Sequence, residues 1–151
     1  MSDYTLWTHG VSVEVENADG SRGLHIERTG FGAKIKQNRG TSNWFHLAIP
    51  TLTLWNGEDL RLCAASLRVD VNNDAVIKRL HVRESLEGDS GYCSKVCDSG
   101  DINITGQITR LSLDHLGHVE GPLAICAYVE FEGEDGEIRF IGAGALFRSR
   151  G

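Results

Sequence analysis

Proline and long apolar runs are the scarcest features of this chain. Only two prolines occur in 151 residues, and no apolar segment approaches the roughly 20 residues that a membrane-spanning helix needs. The first residues, 1–5, contain neither a basic segment nor an apolar run, so no signal peptide is predicted. These absences argue against a membrane protein with helical spans and make a cytoplasmic location the expectation.

Positive charge is also scarce, and it is scattered along the chain. Fifteen lysines and arginines stand against 21 aspartates and glutamates, which gives a net charge of −6. A protein that follows nucleic-acid phosphates needs a basic stripe, so neither nucleic acid nor a membrane surface is an expected partner. The glycine-rich phosphate loops, serine elbows and paired metal histidines of common enzyme classes are missing as well. We therefore expect no cofactor, and catalysis stays an open question.

Helical periodicity is missing too, because apolar residues nowhere recur at 3.6-residue spacing for three turns. Short apolar or alternating segments are separated instead by turns of glycine, asparagine and aspartate. About ten such strands predict an all-β fold, a β-sandwich or jelly roll formed as a single domain over residues 1–151. The residues expected in its core are Val13, Val15, Phe45, Leu47, Leu67, Val69, Leu80, Leu111, Ile125, Val129, Ile141 and Phe147.

The segment of residues 41–50 contains one of three tryptophans and one of the two prolines. With a period of two, Trp44 and His46 point to one side of a strand, and Phe45 and Leu47 point to the other. Both sides are mostly apolar, which predicts a strand covered on both faces and ended by the proline. A polar side chain inside such a strand needs a hydrogen-bond partner or a ligand.

Three motifs stand out: Trp7-Thr-His-Gly10 with the Val-x-Val-Glu that follows it, Thr41-Ser-Asn-Trp-Phe-His-Leu-Ala-Ile-Pro-Thr51, and Arg139-Phe-Ile-Gly-Ala-Gly-Ala145. Together they resemble a family of small, functionally uncharacterised bacterial β proteins. The resemblance spans most of the chain, and its Asn-Trp-Phe-His and Ile-Pro centre is fairly specific. It implies an all-β fold and lends the chain no activity.

His46 and Trp44 are candidates for a functional face, joined by polar residues of long neighbouring strands. An imidazole beside carboxylate and guanidinium groups suits acid–base work or the binding of a small polar ligand. The same pattern fits a buried structural histidine next to a solvated sheet face, so both interpretations stay open. The candidate ligand-binding residues are Trp44, His46, Arg68 and Arg79, and the candidate catalytic residues are His46, Asp70 and His81.

The four cysteines are expected to be thiols. Cys63 and Cys126 are predicted to be small core residues, because each lies in a strand-like apolar segment. A second set combines thiols and imidazoles, which are the ligand types of a tetrahedral zinc site. Both pairs of that set lie in polar loops, so we expect no metal there, with zinc as the alternative. The set is Cys93, Cys97, His115 and His118.

Acidic side chains cluster in two turns, one of which holds Asp98, Asp101 and Asn103. Oxygen ligands of this kind bind calcium in other loops, but the spacing of an EF-hand loop is missing. The charges are therefore interpreted as solubilising turn residues, with calcium as the alternative.

The segments 122–131 and 137–147 lack the apolar–polar alternation of a sheet with one wet face. If these two strands were neighbours, small and apolar residues such as Ala124, Cys126 and Tyr128 would form a sticky outer patch. Exposed patches of that kind usually mark an interface, so the sequence predicts a homodimer through this face. The alternative is that a loop of the same chain covers it.

The leading interpretation of the sequence is a non-catalytic β-sandwich module that binds a small molecule, a sugar or a protein partner. One alternative is a small enzyme, an isomerase, cyclase or hydrolase, with His46 as acid or base in a pocket. Another is a structural or assembly protein whose sheet faces form the contacts.

Overall fold

A computed structural model describes residues 1–85 and 93–150, apart from the side chains of residues 93–96, 109 and 112–116. This part of the chain contains two single-turn 3-10 helices, Gly10–Ser12 and Gly20–Arg22, and no helix in it could reach across a membrane. Its strands are β1 (Asp3–His9), β2 (Glu14–Val15), β3 (His25–Thr29), β4 (Gly32–Lys36), β5 (Thr41–Ile49), β6 (Leu54–Trp55), β7 (Glu58–Val71), β8 (Ala75–Ser85), β9 (Cys93–Asp98), β10 (Gly106–His118), β11 (Leu123–Phe131) and β12 (Glu137–Ser149).

The strands form two sheets, which confirms the all-β sandwich. The seven-stranded sheet has the order β10-β7-β12-β4-β3, with β1 also paired to β12 and β6 to β7. The five-stranded sheet has the order β2-β5-β11-β8-β9. The segment of residues 41–50 is β5, and it pairs antiparallel along its whole length with β11. The predicted central strand therefore lies inside the five-stranded sheet, between β2 and β11.

One apolar core fills the space between the sheets. Phe45 of β5 and Phe140 of β12 come from opposite sheets, and their ring centroids lie 5.3 Å apart. Rings of this size contribute a large share of the buried apolar surface. The structure confirms the predicted core positions Val13, Phe45, Leu47, Leu67, Val69, Leu80, Ile125, Val129 and Phe147 as buried. Val15 and Leu111 are partly buried against that core.

Two predicted core residues are wrong because β-bulges shift the alternation of their strands. In β12 the register changes between Phe140 and Gly142, so Phe140 enters the core and Ile141 is only half-buried. In β7 the pairing also shifts near Cys63, which is partly exposed on the outer side of the sheet. A strict period of two cannot cross either bulge.

The buried polar side chain of β5 has the partners that burial requires. The Asn43 amide donates to the Gln37 Oε1 at 2.8 Å and to the Asn17 carbonyl at 2.8 Å. Its own oxygen accepts from the Asn17 backbone N–H at 3.1 Å. Asn43 therefore connects β5 to the segment that follows β2, and its role is structural.

The surface predicted for a homodimer does not exist as one patch. β11 belongs to the five-stranded sheet and β12 to the seven-stranded sheet, so their outer sides face in opposite directions. On β12 the ring of Trp7 covers Gly144, where a Cβ would meet it at 2.6 Å. The prediction that strands 122–131 and 137–147 share an outer face is wrong.

Candidate functional site

The outer face of the five-stranded sheet gathers most of the candidate residues. Along β5 the core takes Phe45 and Leu47, so the residues between them, Trp44 and His46, point outward. The antiparallel register then places Tyr128 opposite Trp44 and Cys126 opposite His46. We refer to the outer side of β2, β5, β11, β8 and β9 as the Trp44 face.

The neighbouring strand β8 completes this face on the other side of β11. Its His81 pairs with Cys126, and its Arg79 pairs with Tyr128. A register shift lies beyond Arg79, between the partners of Tyr128 and Val129. The bulge lets Ile77 and Leu80 both enter the core, while Lys78 and Arg79 both line the outer surface.

Three rings form a cluster in the middle of the Trp44 face. The Trp44 ring lies 4.7 Å from the His81 ring and 5.2 Å from the Tyr128 ring, measured between centroids. Both contacts are tilted, as aromatic pairs prefer. The Tyr128 hydroxyl donates to the Ser42 Oγ at 2.8 Å, which fixes that ring. Neighbours on both sides thus hold Trp44 in place.

His81 is held by charged groups at both ring nitrogens. Its Nε2 lies 3.2 Å from the Asp98 carboxylate, and its Nδ1 lies 3.3 Å from the Arg83 guanidinium. A guanidinium can only donate, so Nδ1 accepts and the proton belongs on Nε2, beside the carboxylate. The His81 side chain is only 10% exposed, so its role on this face is to pack against the Trp44 ring and support it.

His46 lies in a more open position than His81. Its Nε2 is 3.3 Å from the Glu16 Oε1, and the two side chains are 32% and 49% exposed. A carboxylate at this distance orients the imidazole. His46 is therefore accessible to a ligand and has a carboxylate partner, which are two requirements for acid–base chemistry.

Ion pairs line the opposite end of the Trp44 face. The Arg79 guanidinium lies 3.0 Å from the Asp101 carboxylate and 3.5 Å from that of Asp98. Lys78 Nζ lies 2.7 Å from the Asn103 Oδ1 and 3.3 Å from the Glu132 carboxylate. The acidic turn residues, interpreted from sequence as solubilising charge, are thus partners of β8 cations.

A groove crosses the face, with Trp44 in its centre. On one side is a cavity of about 420 Å³ lined by Glu16, Trp44, His46, His81, Arg83, Ala124 and Cys126. On the other side is a cavity of about 610 Å³ lined by Trp44, Lys78, Arg79, Asp101, Ile102, Asn103, Tyr128 and Glu130. Because Trp44 lines both, a long ligand can contact its ring and reach polar groups on each side.

Two of the candidate residues do not join this face. Arg68 and Asp70 belong to β7 in the seven-stranded sheet, and both are exposed on its outer side. The Arg68 guanidinium carbon lies 4.2 Å from the centre of the Trp7 ring. The expectation that β7 would contribute to the surroundings of His46 is wrong, because β7 and β5 lie in different sheets.

The candidate metal ligands are only partly covered by the structure. Cys97 pairs with Val82 in the five-stranded sheet, while His118 pairs with Arg61 in the other sheet. The side chains of Cys93 and His115 lie outside the described residues. Among the side chains that are described, no group of three acids, histidines or cysteines has the geometry to hold a metal ion. The expectation of no metal at the four-residue set stays a prediction.

Sequence reasoning missed several residues of the face. Glu16 and Arg83 were not candidates, Asp98 was considered only as a turn charge or calcium ligand, and Tyr128 was placed in a dimer contact. The available signal was the non-alternating strand β11, whose outer residues lie between the outer residues of β5 and β8. Apolar residues on the outer side of a central strand can line a groove as well as an interface.

A solved xylan-binding module shares this fold. A low affinity xylan binding module, CBM86, from the gut symbiont Roseburia intestinalis has a TM-score of 0.51 and 11% identity, covering 97% of this chain and 96% of that chain. The xylan-binding module CBM15 has a TM-score of 0.49 and 18% identity, covering 99% of this chain and 100% of that chain. At these identities the likeness concerns the fold alone. No curated protein matches the chain.

A family match covers most of the sequence. The resemblance described above pointed to a functionally uncharacterised family, while its motif and bacterial origin stay predictions. The matched residues, 1–141, include all five strands of the Trp44 face. The chain belongs to the Family of unknown function (DUF6623).

Proposed function

We propose that the chain is a binding module for a carbohydrate chain, which lies in the groove of the Trp44 face. The observation that carries the proposal is the position of Trp44 between two cavities. An aromatic ring offers a flat apolar surface for the C–H face of a sugar ring. A ring in the centre of an open groove suits an extended ligand better than a single small molecule.

The polar groups on both sides of Trp44 support a ligand that is rich in hydroxyls. A hydroxyl both donates and accepts, so it is best met by a mixture of carboxylates, amides and cations. The groove supplies Arg79, Asp101 and Asn103 at one end, with Glu16 and His46 at the other. Their mutual ion pairs hold these side chains in place before a ligand arrives, which lowers the entropy lost on binding.

The charges of the groove favour an uncharged sugar chain. Each of the two cavities beside Trp44 is lined by both cations and carboxylates, so neither sign dominates. The solved module with the same fold and a TM-score of 0.51 is named as xylan binding. Xylo-oligosaccharides are therefore the first probe, with cello- and manno-oligosaccharides as alternatives of different ring substitution.

The test is calorimetric titration of the protein with these three oligosaccharide series, together with the variants Trp44→Ala and Trp55→Ala. Trp55 is an aromatic residue of the same size on β6, 46% exposed and outside the groove, so it is the matched control. Removing the central stacking ring is expected to weaken binding at least tenfold, about 1.4 kcal/mol or more. Trp55→Ala is expected to bind like the parent protein.

Equal loss in both variants would point to unfolding, which a melting curve recorded on the same samples detects. If none of the three series binds the parent protein at millimolar concentration, the carbohydrate proposal is wrong. Binding that survives Trp44→Ala would move the site away from this face.

A second candidate function, acid–base catalysis, is favoured by the His46–Glu16 pair in the same groove. A hydrolase or isomerase acting on a groove-bound sugar would need His46 to exchange a proton with it. Product analysis after long incubation with the oligosaccharide that binds tightest tests this candidate. Turnover lost in His46→Gln with binding retained would establish it, and absence of turnover would leave the module as a binder.

The cytoplasmic location stays a prediction. It bears on the ligand, because a protein inside the cell meets short oligosaccharides while a secreted one meets polysaccharides. Fractionation of cells that carry the natural gene, followed by detection of the chain, decides between an intracellular and a secreted location.

A further inference from the structure

A further cavity lies on the Trp44 face, at the end where β5 begins and β11 ends. It has a volume of about 290 Å³ and lies next to the groove already described. Ser42 and Glu130 are cross-strand partners two residues away from Trp44 and Tyr128, so they point to the same side of the sheet. The residues that line the cavity are Gly40, Thr41, Ser42, Glu130, Phe131 and Glu132.

The cavities of the Trp44 face form one row along β11. We call the cavity beside His46 the first, the cavity beside Arg79 the second, and the cavity at Ser42 the third. Adjacent cavities share a lining residue, which is Trp44 between the first and second and Glu130 between the second and third. The groove therefore runs parallel to β11 and continues beyond the Tyr128 ring.

The length of this row sets the length of a ligand that fills it. Ala124 of β11 lines the first cavity and Phe131 lines the third. The strand between these two positions spans roughly 23 Å. A 1,4-linked sugar ring advances its chain by roughly 5 Å, because its bonds are each about 1.5 Å long. A chain of about five rings therefore reaches from one end of the groove to the other.

Ser42 supplies a hydrogen-bond donor to the third cavity. Its Oγ accepts the hydrogen bond of the Tyr128 hydroxyl at 2.8 Å. A serine hydroxyl donates one hydrogen in addition to accepting. Within the described part of the chain, the Ser42 Oγ makes no second hydrogen bond, so its hydrogen is available to a sugar hydroxyl. The bond between Tyr128 and Ser42 also connects the wall of the second cavity to that of the third.

Two carboxylates supply hydrogen-bond acceptors, and one lysine positions both of them. Lys78 Nζ lies 3.3 Å from the Glu132 carboxylate and 3.8 Å from that of Glu130, and both glutamates are partly exposed. A carboxylate accepts at about four lone-pair positions, so a contact with Lys78 leaves others for a ligand. Because Lys78 holds these side chains before a ligand arrives, less entropy is lost on binding.

We propose that the third cavity is a further sugar-binding subsite, so that the ligand of the Trp44 face is a linear segment of about five rings. This inference rests on the proposed carbohydrate function and adds the length and the direction of the ligand. One ring of the chain contacts Trp44. A later ring lies in the third cavity, where its hydroxyls accept from Ser42 and donate to Glu132.

The experiment is calorimetric titration with xylo-oligosaccharides from the disaccharide to the hexasaccharide, or with the cello- or manno-series if one of those binds more tightly. In the parent protein, affinity is expected to keep rising up to the pentasaccharide. Glu132→Ala removes a carboxylate of the third cavity, so it is expected to weaken pentasaccharide binding about fivefold, the value of one hydrogen bond. Disaccharide binding is expected to be unchanged.

The matched control is Glu134→Ala, which removes the same charge from the same turn. Glu134 is exposed and lines none of the three cavities. This variant is expected to bind every chain length like the parent protein. Melting curves on the same samples show whether both variants are folded.

Backbone amide resonances give an independent readout of where the sugar chain lies. The Gly40 amide donates to the Phe131 carbonyl at 2.7 Å, so its signal reports on the wall of the third cavity. The pentasaccharide is expected to shift the Gly40 amide signal and the indole N–H signal of Trp44. The disaccharide is expected to shift the indole signal alone, because a ring on Trp44 and one neighbour do not reach Gly40.

The outcomes separate this subsite from the proposed function. If the disaccharide and the pentasaccharide bind equally well through Trp44, the carbohydrate function stands and the third subsite is wrong. The subsite is also wrong if Glu132→Ala and Glu134→Ala behave alike, or if the Gly40 signal does not respond to the pentasaccharide. If none of the three oligosaccharide series binds, the carbohydrate function itself is wrong, and the subsite is wrong with it.

Discussion

The two outer faces of the sandwich each carry a tryptophan, and the two rings have different surroundings. Trp44 lies beside the rings of Tyr128 and His81, with an open cavity on each side. Trp7 lies on Gly144 and is covered by the Arg68 guanidinium at 4.2 Å. One ring is supported at its edges and leaves a groove, while the other fills the space above a small residue.

In these two cases the size of the cross-strand partner sets how the outward-pointing tryptophan packs, since Trp44 pairs with Tyr128 and Trp7 with Gly144. A large partner such as Tyr128 supports the ring from the side and leaves part of its surface open to a ligand. A glycine partner has no side chain, so the ring can pack flat against the backbone of the neighbouring strand and cover it. Trp7 therefore has a structural role in attaching β1 to β12.

The largest effect is expected from Gly144→Ala, which would break the arrangement around Trp7. A Cβ at this position would lie 2.6 Å from the Trp7 ring and 2.7 Å from the Leu6 carbonyl oxygen. The ring or the β1 backbone must move, and overpacking of this kind typically costs about 1–3 kcal/mol. We expect that loss in the free energy of unfolding from urea titration, with oligosaccharide binding at the Trp44 face retained.

The matched control for this substitution is Gly30→Ala, at a turn where a new Cβ meets nothing within 4 Å. Its stability should stay within about 0.5 kcal/mol of the parent, as for most surface changes. If Gly144→Ala were equally silent, Trp7 would not be packed on the β12 backbone, and the contrast between the two tryptophans would be lost.

Alternation along single strands predicted much of this architecture. It placed Phe45 and Leu47 on one side of the strand and Trp44 and His46 on the other, because β5 has no bulge along its pairing with β11. The expectation that both sides of this strand would be covered is wrong, since Ala48 is exposed on the side of Trp44 and His46. Alternation failed at Ile141 and Cys63, where bulges add a residue to one strand. The physical cause of a bulge lies in contacts across the sheet, which a single segment does not display.

The composition of the candidate site was harder to predict, because it depends on which strands share a sheet. Arg68 and Arg79 are both polar residues on long strands, yet only Arg79 belongs to the five-stranded sheet. Likewise, Asp98 reaches His81 only because β9 pairs with β8. Strand order follows from contacts between distant segments, so local patterns gave the candidates without their grouping.

The smallest effect is expected from Asp3→Asn, which tests how β1 is attached at the end away from the Trp7 ring. Asp3 and Arg148 form a bidentate pair across β1 and β12, with both side chains partly exposed. The hydrogen bond from Arg148 lowers the pKa of Asp3. A lowered carboxyl pKa in the folded state adds stability above the carboxyl's pKa in the unfolded chain, and this stability is lost as the pH falls through the folded-state value.

In acid, the parent protein is therefore expected to lose the small stability that the ionised Asp3 contributes. The variant Asp3→Asn lacks this contribution at every pH. Denaturant unfolding at several pH values between about 2 and 7 gives the two curves, which should lie apart near neutrality and converge in acid. Glu134→Gln, at an exposed turn acid, controls for the change in net charge. High salt should shrink the separation, because exposed pairs are screened. Curves that stay parallel down to the lowest pH would show that β1 is attached through Trp7 and its backbone pairing, with no contribution from the ion pair.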